Sequence, residues 1–355
     1  MNAPHENIAD LSPWLRNMAG ATDVLRGKLI ADVASESCRL VWWGAHSELL
    51  GNLGTIPDMD VVVVEADSRR LHRQLRTAAP RTQKLRLLDL SSLKRDAGGV
   101  EAVLSGAIPR DLDSYLALQE RLEQRFEQIP AVAAGSADYI VQDFTLNRVS
   151  LTDEGKLLQE AMRCLAPEGR LLSAVLVADE PVHEPQILRE GPSGPALRLL
   201  NEQALLSAFE DAGFHGIRIH WADADNPAPL ERIGSVEVRI CIIEAFKGKR
   251  GPCFELGQAV IYSGPWREVK DDDGHTYVRG MRVAVCAKTF DLLMRAPYQG
   301  QLAGLRSVNE PPLSQAKLFD CNTPSLRVPG VTKGIIPFEG AQHPSSACAP
   351  GGGCC

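Results

Sequence analysis

The chain has no excess of basic charge. Its 355 residues carry 38 Lys and Arg against 45 Asp and Glu, a formal net charge of -7. A protein whose main partner is nucleic acid usually carries a basic stripe, so that class is set aside. Long hydrophobic runs are missing too. The strongest, VVVV at 61–64, falls far short of the about 18–20 residues needed to span a bilayer, so no membrane partner is expected. The first twenty residues, MNAPHENIADLSPWLRNMAG, hold no basic stretch followed by an apolar one. No signal peptide is therefore expected, and the expected compartment is cytoplasmic. The cysteines form no paired CxxC motifs, which excludes a zinc finger. There is no internal repeat and no heptad pattern. His183, His215, His220 and His343 stand at no catalytic spacing.

What is present is a globular composition, 44% hydrophobic and 23% charged, with strands and helices in alternation. Residues 1–37 read as an amphipathic helical segment, a cap or lid. Strands are expected at 38–45 (CRLVWWGA), 60–67 (DVVVVEAD), 84–90 (KLRLLDL), 137–144 (ADYIVQDF) and 170–179 (RLLSAVLVAD). Apolar residues run continuously through DVVVVEAD, as in a strand buried on both faces. Helices are expected after the second strand, at 114–129, at 152–170 with Thr152 as N-cap, and at 201–214 closed by Gly213. The alternation predicts an α/β fold with a doubly wound, mostly parallel Rossmann-like sheet over 38–244. From 245 the helical periods thin out and Gly and Pro accumulate. Residues 245–335 read as a smaller loop-rich domain, and 336–355 as a flexible Cys-rich tail.

Nine cysteines in a reducing compartment point to metal or catalytic use rather than disulfides. Cys38, Cys164 and Cys241 fall within apolar segments and read as small buried hydrophobes. Cys348, Cys354 and Cys355 crowd the last eight residues, on a glycine spacer with no core to pack into. They read as a thiol arm that captures or hands over a soft ion. The acidic turn DDDGH at 271–275 reads as solvated.

Two stretches carry a family resemblance. DYIVQDFTLNRVSLTDEGKLLQEAMRCLAPEGRLLSAVLVAD, with its LAPEGR turn at 165–170, resembles the later half of class I S-adenosylmethionine-dependent methyltransferases. Residues 247–290 and LFDC at 318–321 resemble the C-terminal domain of arsenite methyltransferases: Cys253, the strand GQAVIYSG, DDDGH, Cys286 and Cys321 stand in that family's order. The resemblance implies S-adenosylmethionine as cofactor, held around Gly44, Glu65 (ribose hydroxyls), Asp89 (adenine) and Asp143 (methyl-transfer pocket). It implies As(III) held by Cys253, Cys286, Cys321 and the tail thiols Cys348, Cys354 and Cys355, with small thiols as further partners.

The chain departs from the family at three places. The first loop is WWGAHSE at 42–48: Trp42 replaces the first acid, and His46 and Glu48 stand where glycines are expected. A carboxylate at 48 would lie near the cofactor's own carboxylate, a like-charge contact. Phe144 stands where a cysteine usually follows the methyl-pocket strand, and no cysteine pair precedes Cys38. The leading expectation is methyl transfer to thiol-bound As(III). The alternative is a degenerate homologue that binds or delivers a trivalent metalloid, or partners an active methyltransferase. A methyltransferase for another acceptor, such as an organoarsenical, is a third.

Overall fold

The computed structural model describes residues 9–10, 38–44, 59–68, 71, 82–104, 108–182, 187–189, 196–221, 231–233, 235–248 and 251–337. The chain divides into two compact units, Met1–Lys247 and Gly248–Cys355.

The first unit is built on one large sheet. Its strands are β1 (Arg39–Trp43), β2 (Asp60–Glu65), β3 (Thr82–Arg86), β4 (Ala137–Asp143), β5 (Leu165–Ala178), β6 (Phe214–Trp221) and β7 (Val236–Lys247). They lie in the order β3-β2-β1-β4-β5-β7-β6. The first five are mutually parallel, and β7 runs antiparallel to β5 and β6. This mixed α/β arrangement is consistent with a Rossmann-like methyltransferase sheet. Period-2 alternation sends neighbouring side chains to opposite faces. Trp42 thus enters the apolar cluster with Val61, Val63 and Val141, while Trp43 enters the cluster with Val64, Ile140 and Leu157. Both tryptophans are fully buried, and Trp43 Nε1 donates to the Leu90 carbonyl at 2.9 Å.

The helices are α1 (Ala97–Leu104), α2 (Leu112–Gln128), α3 (Thr145–Arg148), α4 (Leu151–Cys164) and α5 (Glu202–Asp211). Asp111 caps α2 by accepting from the Ser114 amide at 2.8 Å, and Ser114 Oγ returns the bond to the Asp111 amide. Helix α4 starts one turn position earlier than expected. Ser150, not Thr152, is its N-cap, and the helix ends at Cys164 rather than running into the LAPEGR segment. That segment instead opens β5 with a kink. Glu168 has a φ of 68°, and a Cβ on Gly169 would come within about 3 Å of the Ala166 and Ala137 carbonyls. Strands β6 and β7 and helix α1 were not expected from the sequence. Of residues 1–37 only 9–10 are described. Ala9–Asp10 pairs with Ile187–Arg189 as a strand there, not a helix. The helix expected after β2 lies outside the described residues except at Ser68 and Leu71.

Between β4 and α4 the chain makes one unusual turn. Phe144 is fully buried with a φ of 53°, a left-handed backbone that a bulky residue adopts only when its surroundings enforce it. The turn launches α3, whose side chains stitch the sheet together. Asn147 Nδ2 donates to the carbonyls of Leu176 and Arg198, and its Oδ1 accepts from the Leu176 amide. Thr145 Oγ1 donates to the Trp43 carbonyl at 2.7 Å.

In the second unit, β8 (Phe254–Glu255) pairs with a late strand, Lys317–Leu318. Strand β9 (Ala259–Tyr262) sits between β12 (Arg282–Ala284) and β13 (Leu302–Leu305), all antiparallel. A hairpin, β10 (Glu268–Lys270) with β11 (Thr276–Val278), and helix α6 (Ala287–Leu293) complete it. The late strand is β14. Val260, Tyr262, Tyr277, Val283, Phe290 and Leu293 form the core. Among the described residues no helix is long and apolar enough to cross a membrane.

Asn147→Ala strips three hydrogen bonds from buried backbone groups, and a buried group left unsatisfied costs about 1–3 kcal/mol. The expected result is a loss of about 2–4 kcal/mol, read as a lower urea midpoint at unchanged slope. A midpoint equal to wild type would show that the α3 stitch does not hold the sheet.

Candidate functional site

Ligands of doubly wound sheets bind beyond the carboxyl ends of the strands, at the point where the strand order reverses. Here that point lies between β1 and β4. Gly44 follows β1, Glu65 ends β2, Asp89 follows β3 and Asp143 ends β4, so all four expected cofactor residues lie at one edge of the sheet. Their individual surroundings differ from what a bound nucleoside requires.

Glu65 has no exposed surface. The Arg148 guanidinium grips it in a bidentate pair, Nη1 to Oε2 at 2.9 Å and Nη2 to Oε1 at 3.0 Å. The amides of Ala66 and Asp67 also donate to Oε1 at 2.8 and 3.0 Å. Such a planar fork is the strongest pairing a carboxylate finds in a protein. Gly44, with a φ of 75°, keeps the tight turn after β1, but the space its missing side chain leaves is filled from within. A Cβ there would lie 2.3 Å from Thr145 Oγ1 and 3.3 Å from Arg148 Nη1. Asp89 is exposed and closes its own loop, accepting from the Ser91 amide at 2.9 Å and the Ser91 hydroxyl at 2.8 Å. Asp143 is buried. In this arrangement the residues do not fit a ribose at Glu65. His46 and Glu48 lie outside the described residues.

The second unit brings three of the expected ligands together. The sulfurs of Cys253, Cys286 and Cys321 all lie within 4.8 Å of one another. Each comes from a different segment. Cys253 precedes β8 and Cys321 follows β14, and the two-residue ladder Phe254–Leu318, Glu255–Lys317 sets them side by side. The Phe319 amide donates to the Cys253 carbonyl at 2.9 Å. Cys286 caps α6. Its sulfur accepts from the Thr289 amide at 3.4 Å and lies 3.2 Å from Thr289 Oγ1. The segment after Cys321 returns along β12, with Val283 bridged to Leu326. Arg327, which sequence reasoning missed, anchors that segment. Its guanidinium grips buried Glu255 at 2.8 and 2.9 Å and reaches the Gln258 carbonyl.

The three thiols are not equivalent. Hydrogen bonds from Cys253, then Cys321, and from Thr289 outweigh burial and hold Cys286 far below the ordinary thiol range. Cys253 is pushed up, first by its bond to Cys286, and Cys321 is pushed up by its bonds to Cys253 and Cys286. Of the three, Cys286 is thus the sulfur most readily held as a thiolate. The remaining described cysteines are isolated in the first unit. Burial pushes Cys38 up to about 11 and Cys164 and Cys241 up to about 12, so they stay protonated. Cys348, Cys354 and Cys355 lie outside the described residues.

In the DDDGH turn Asp272, Asp273 and Gly274 are exposed, as expected, but Asp271 is not. Asp271 has a side chain only 3% exposed, accepting from His275 Nδ1 at 2.9 Å and Tyr277 Oη at 2.8 Å. Burial opposes the ionised form, but the His275 and Tyr277 bonds outweigh it and lower its pKa. Asp271 thus ties together the turn that joins β10 to β11.

The thiolate assignment is open to a pH titration followed by thiolate ultraviolet absorbance. At about pH 6, where an ordinary thiol of pKa ~8.5 is protonated, the protein is expected to retain one thiolate, and Cys286→Ser to retain none. Absorbance that develops only above about pH 8 would show that Cys286 is an ordinary thiol.

A family model described as a domain of unknown function (DUF8838) matches residues 249–336, the part that contains all three clustered thiols. No curated protein matches the chain. Similar solved structures include an arsenic(III) S-adenosylmethionine methyltransferase from Chlamydomonas reinhardtii, 15% identical, covering 81% of this chain and 90% of that one at a TM-score of 0.41. A 1,6-didemethyltoxoflavin-N1-methyltransferase from Burkholderia thailandensis is 13% identical, covering 70% and 92% at 0.39. A TehB-like methyltransferase from Corynebacterium glutamicum is 13% identical, covering 67% and 95% at 0.37. Likeness at this level assigns no activity.

Proposed function

We propose that the second unit binds As(III), or a closely related trivalent metalloid, as a three-thiolate complex of Cys253, Cys286 and Cys321. The observation that carries this reading is the convergence of three sulfurs, from three separate segments, within 4.8 Å. Soft ions select soft sulfur ligands, and trivalent arsenic takes three of them in a pyramid with its lone pair free. A redox pair would need two cysteines, and a structural zinc site four ligands.

The state of the trio fits the chemistry of capture. The Cys286 thiolate is the nucleophile that begins the exchange. Each of the three sulfurs then replaces one hydroxyl of arsenous acid: three As–O bonds break and three As–S bonds form, with no change of oxidation state. The two thiols each supply the proton that carries a hydroxyl away as water. The third hydroxyl leaves as hydroxide because Cys286 has no proton to give. Binding near neutral pH therefore takes up one proton per arsenic.

Methyl transfer from S-adenosylmethionine to the captured arsenic is a second reading. The strand order and the sequence resemblance favour it, and the sealed Glu65 counts against it. Retention or delivery of the metalloid needs no cofactor and is the reading we adopt. Cys348, Cys354 and Cys355 would act as a tethered capturing arm, and small thiols as the agents that deliver or remove arsenic.

X-ray absorption at the arsenic edge is expected to give three As–S bonds in the full chain. Each of Cys253→Ser, Cys286→Ser and Cys321→Ser should give fewer and weaken binding roughly 100-fold, about 2.7 kcal/mol. Three As–S bonds retained in all three variants would refute the site. Calorimetry in buffers of different ionisation enthalpy is expected to give uptake of one proton per arsenic. Zero uptake would mean that all three ligands start as thiols.

A further inference from the structure

The edge of the sheet where a nucleoside would lie is occupied by the chain itself. Three observations converge there. Glu65 offers no free face: its side chain has 0% exposure, Arg148 takes both oxygens, and two amides share Oε1. At Gly44 the space a side chain would take is already filled by Thr145 Oγ1, with Arg148 Nη1 beside it. Arg148 is also not a loose arm that swings aside. Its side chain is only 8% exposed, and α3, which carries it, is tied to β1 through Thr145 and to β5 through Asn147.

We infer that the Arg148 guanidinium stands in for the two ribose hydroxyls of S-adenosylmethionine, and that this protein operates without that cofactor. The exchange is chemically close. A ribose diol presents two parallel O–H donors to a carboxylate, and a guanidinium presents two parallel N–H donors with a charge added. The sheet keeps the acid that the cofactor would need and satisfies it permanently from five residues past β4. An incoming nucleoside would have to displace a charged, bidentate and desolvated donor with neutral hydroxyls, an exchange that leaves Arg148 buried without its partner. This inference concerns the first unit and stands independently of the thiol site.

The test is calorimetric titration of the full chain with S-adenosylhomocysteine and S-adenosylmethionine, alongside thermal melting with each. Wild type is expected to give no saturable binding up to about 1 mM and no rise in Tm. Arg148→Ala frees the carboxylate and is expected to bind S-adenosylhomocysteine at least about tenfold more tightly than wild type. If that variant does not fold, Arg148→Gln, which keeps a neutral donor near Glu65, replaces it. Micromolar binding by wild type would overturn the inference, because Arg148 would then yield to the nucleoside. A folded variant as silent as wild type would overturn the assignment of the closure to Arg148. Arsenic stoichiometry measured on the same samples keeps failure of the cofactor inference apart from failure of the thiol site.

Discussion

A carboxylate at the end of a strand buried on both faces must be neutralised where it stands. Glu65 is that carboxylate, and its pairing with Arg148 dictates much of the surrounding first unit. To reach it, the chain must turn back sharply after β4, which puts Phe144 in a left-handed conformation. It must carry Arg148 over Gly44, which no larger residue at 44 would allow. It must also fix α3 against two strands, which Thr145 and Asn147 do. Removing one member of a buried ion pair typically costs about 3–5 kcal/mol, because the other is left charged and unsatisfied. The pair is thus less a source of stability than a constraint that its neighbours are arranged to meet.

The second unit solves a different problem with the same means. Three polarisable sulfurs crowd together, and their mutual interactions favour the ionised form at Cys286. Thr289 stabilises the thiolate from α6, while Arg327 and Glu255 hold the opposing segment in place. The Thr289 contact acts on a sulfur directly, and the ion pair acts through the backbone. That backbone sets where Cys253 and Cys321 lie.

Much of the sheet was legible because its central parallel strands are largely apolar, as DVVVVEAD and RLLSAVLVAD show, whereas the edge strand TQKLR is not. Strands β6 and β7 were not legible because they form an antiparallel pair, which strand–helix alternation does not anticipate. Helix α1 was hidden by Gly98 and Gly99, which depress helical propensity. Glu65 was placed at the right strand end, but its partner was invisible: nothing in DFTLNR signals that Arg148 reaches across the strand order to β2. The cysteine trio was legible only through the resemblance, since positions 253, 286 and 321 form no local motif and depend on the β8–β14 pairing to meet.

That pairing has a further consequence. Only two residue pairs join Phe254–Glu255 to Lys317–Leu318, a short ladder for uniting distant parts of a chain. A metalloid bonded to all three sulfurs would close the same loops covalently, as a cross-link whose removal needs only a competing thiol. The loop-closure entropy that the ladder and its neighbouring contacts now offset would be shared with chemical bonds. Occupancy would then be written into the mechanical continuity of the unit. With arsenic bound, fraying at the ladder cannot separate the segments. Without it, the distance between Cys253 and Cys321 rests on that short ladder, the Phe319 amide bond and the Arg327–Glu255 anchor.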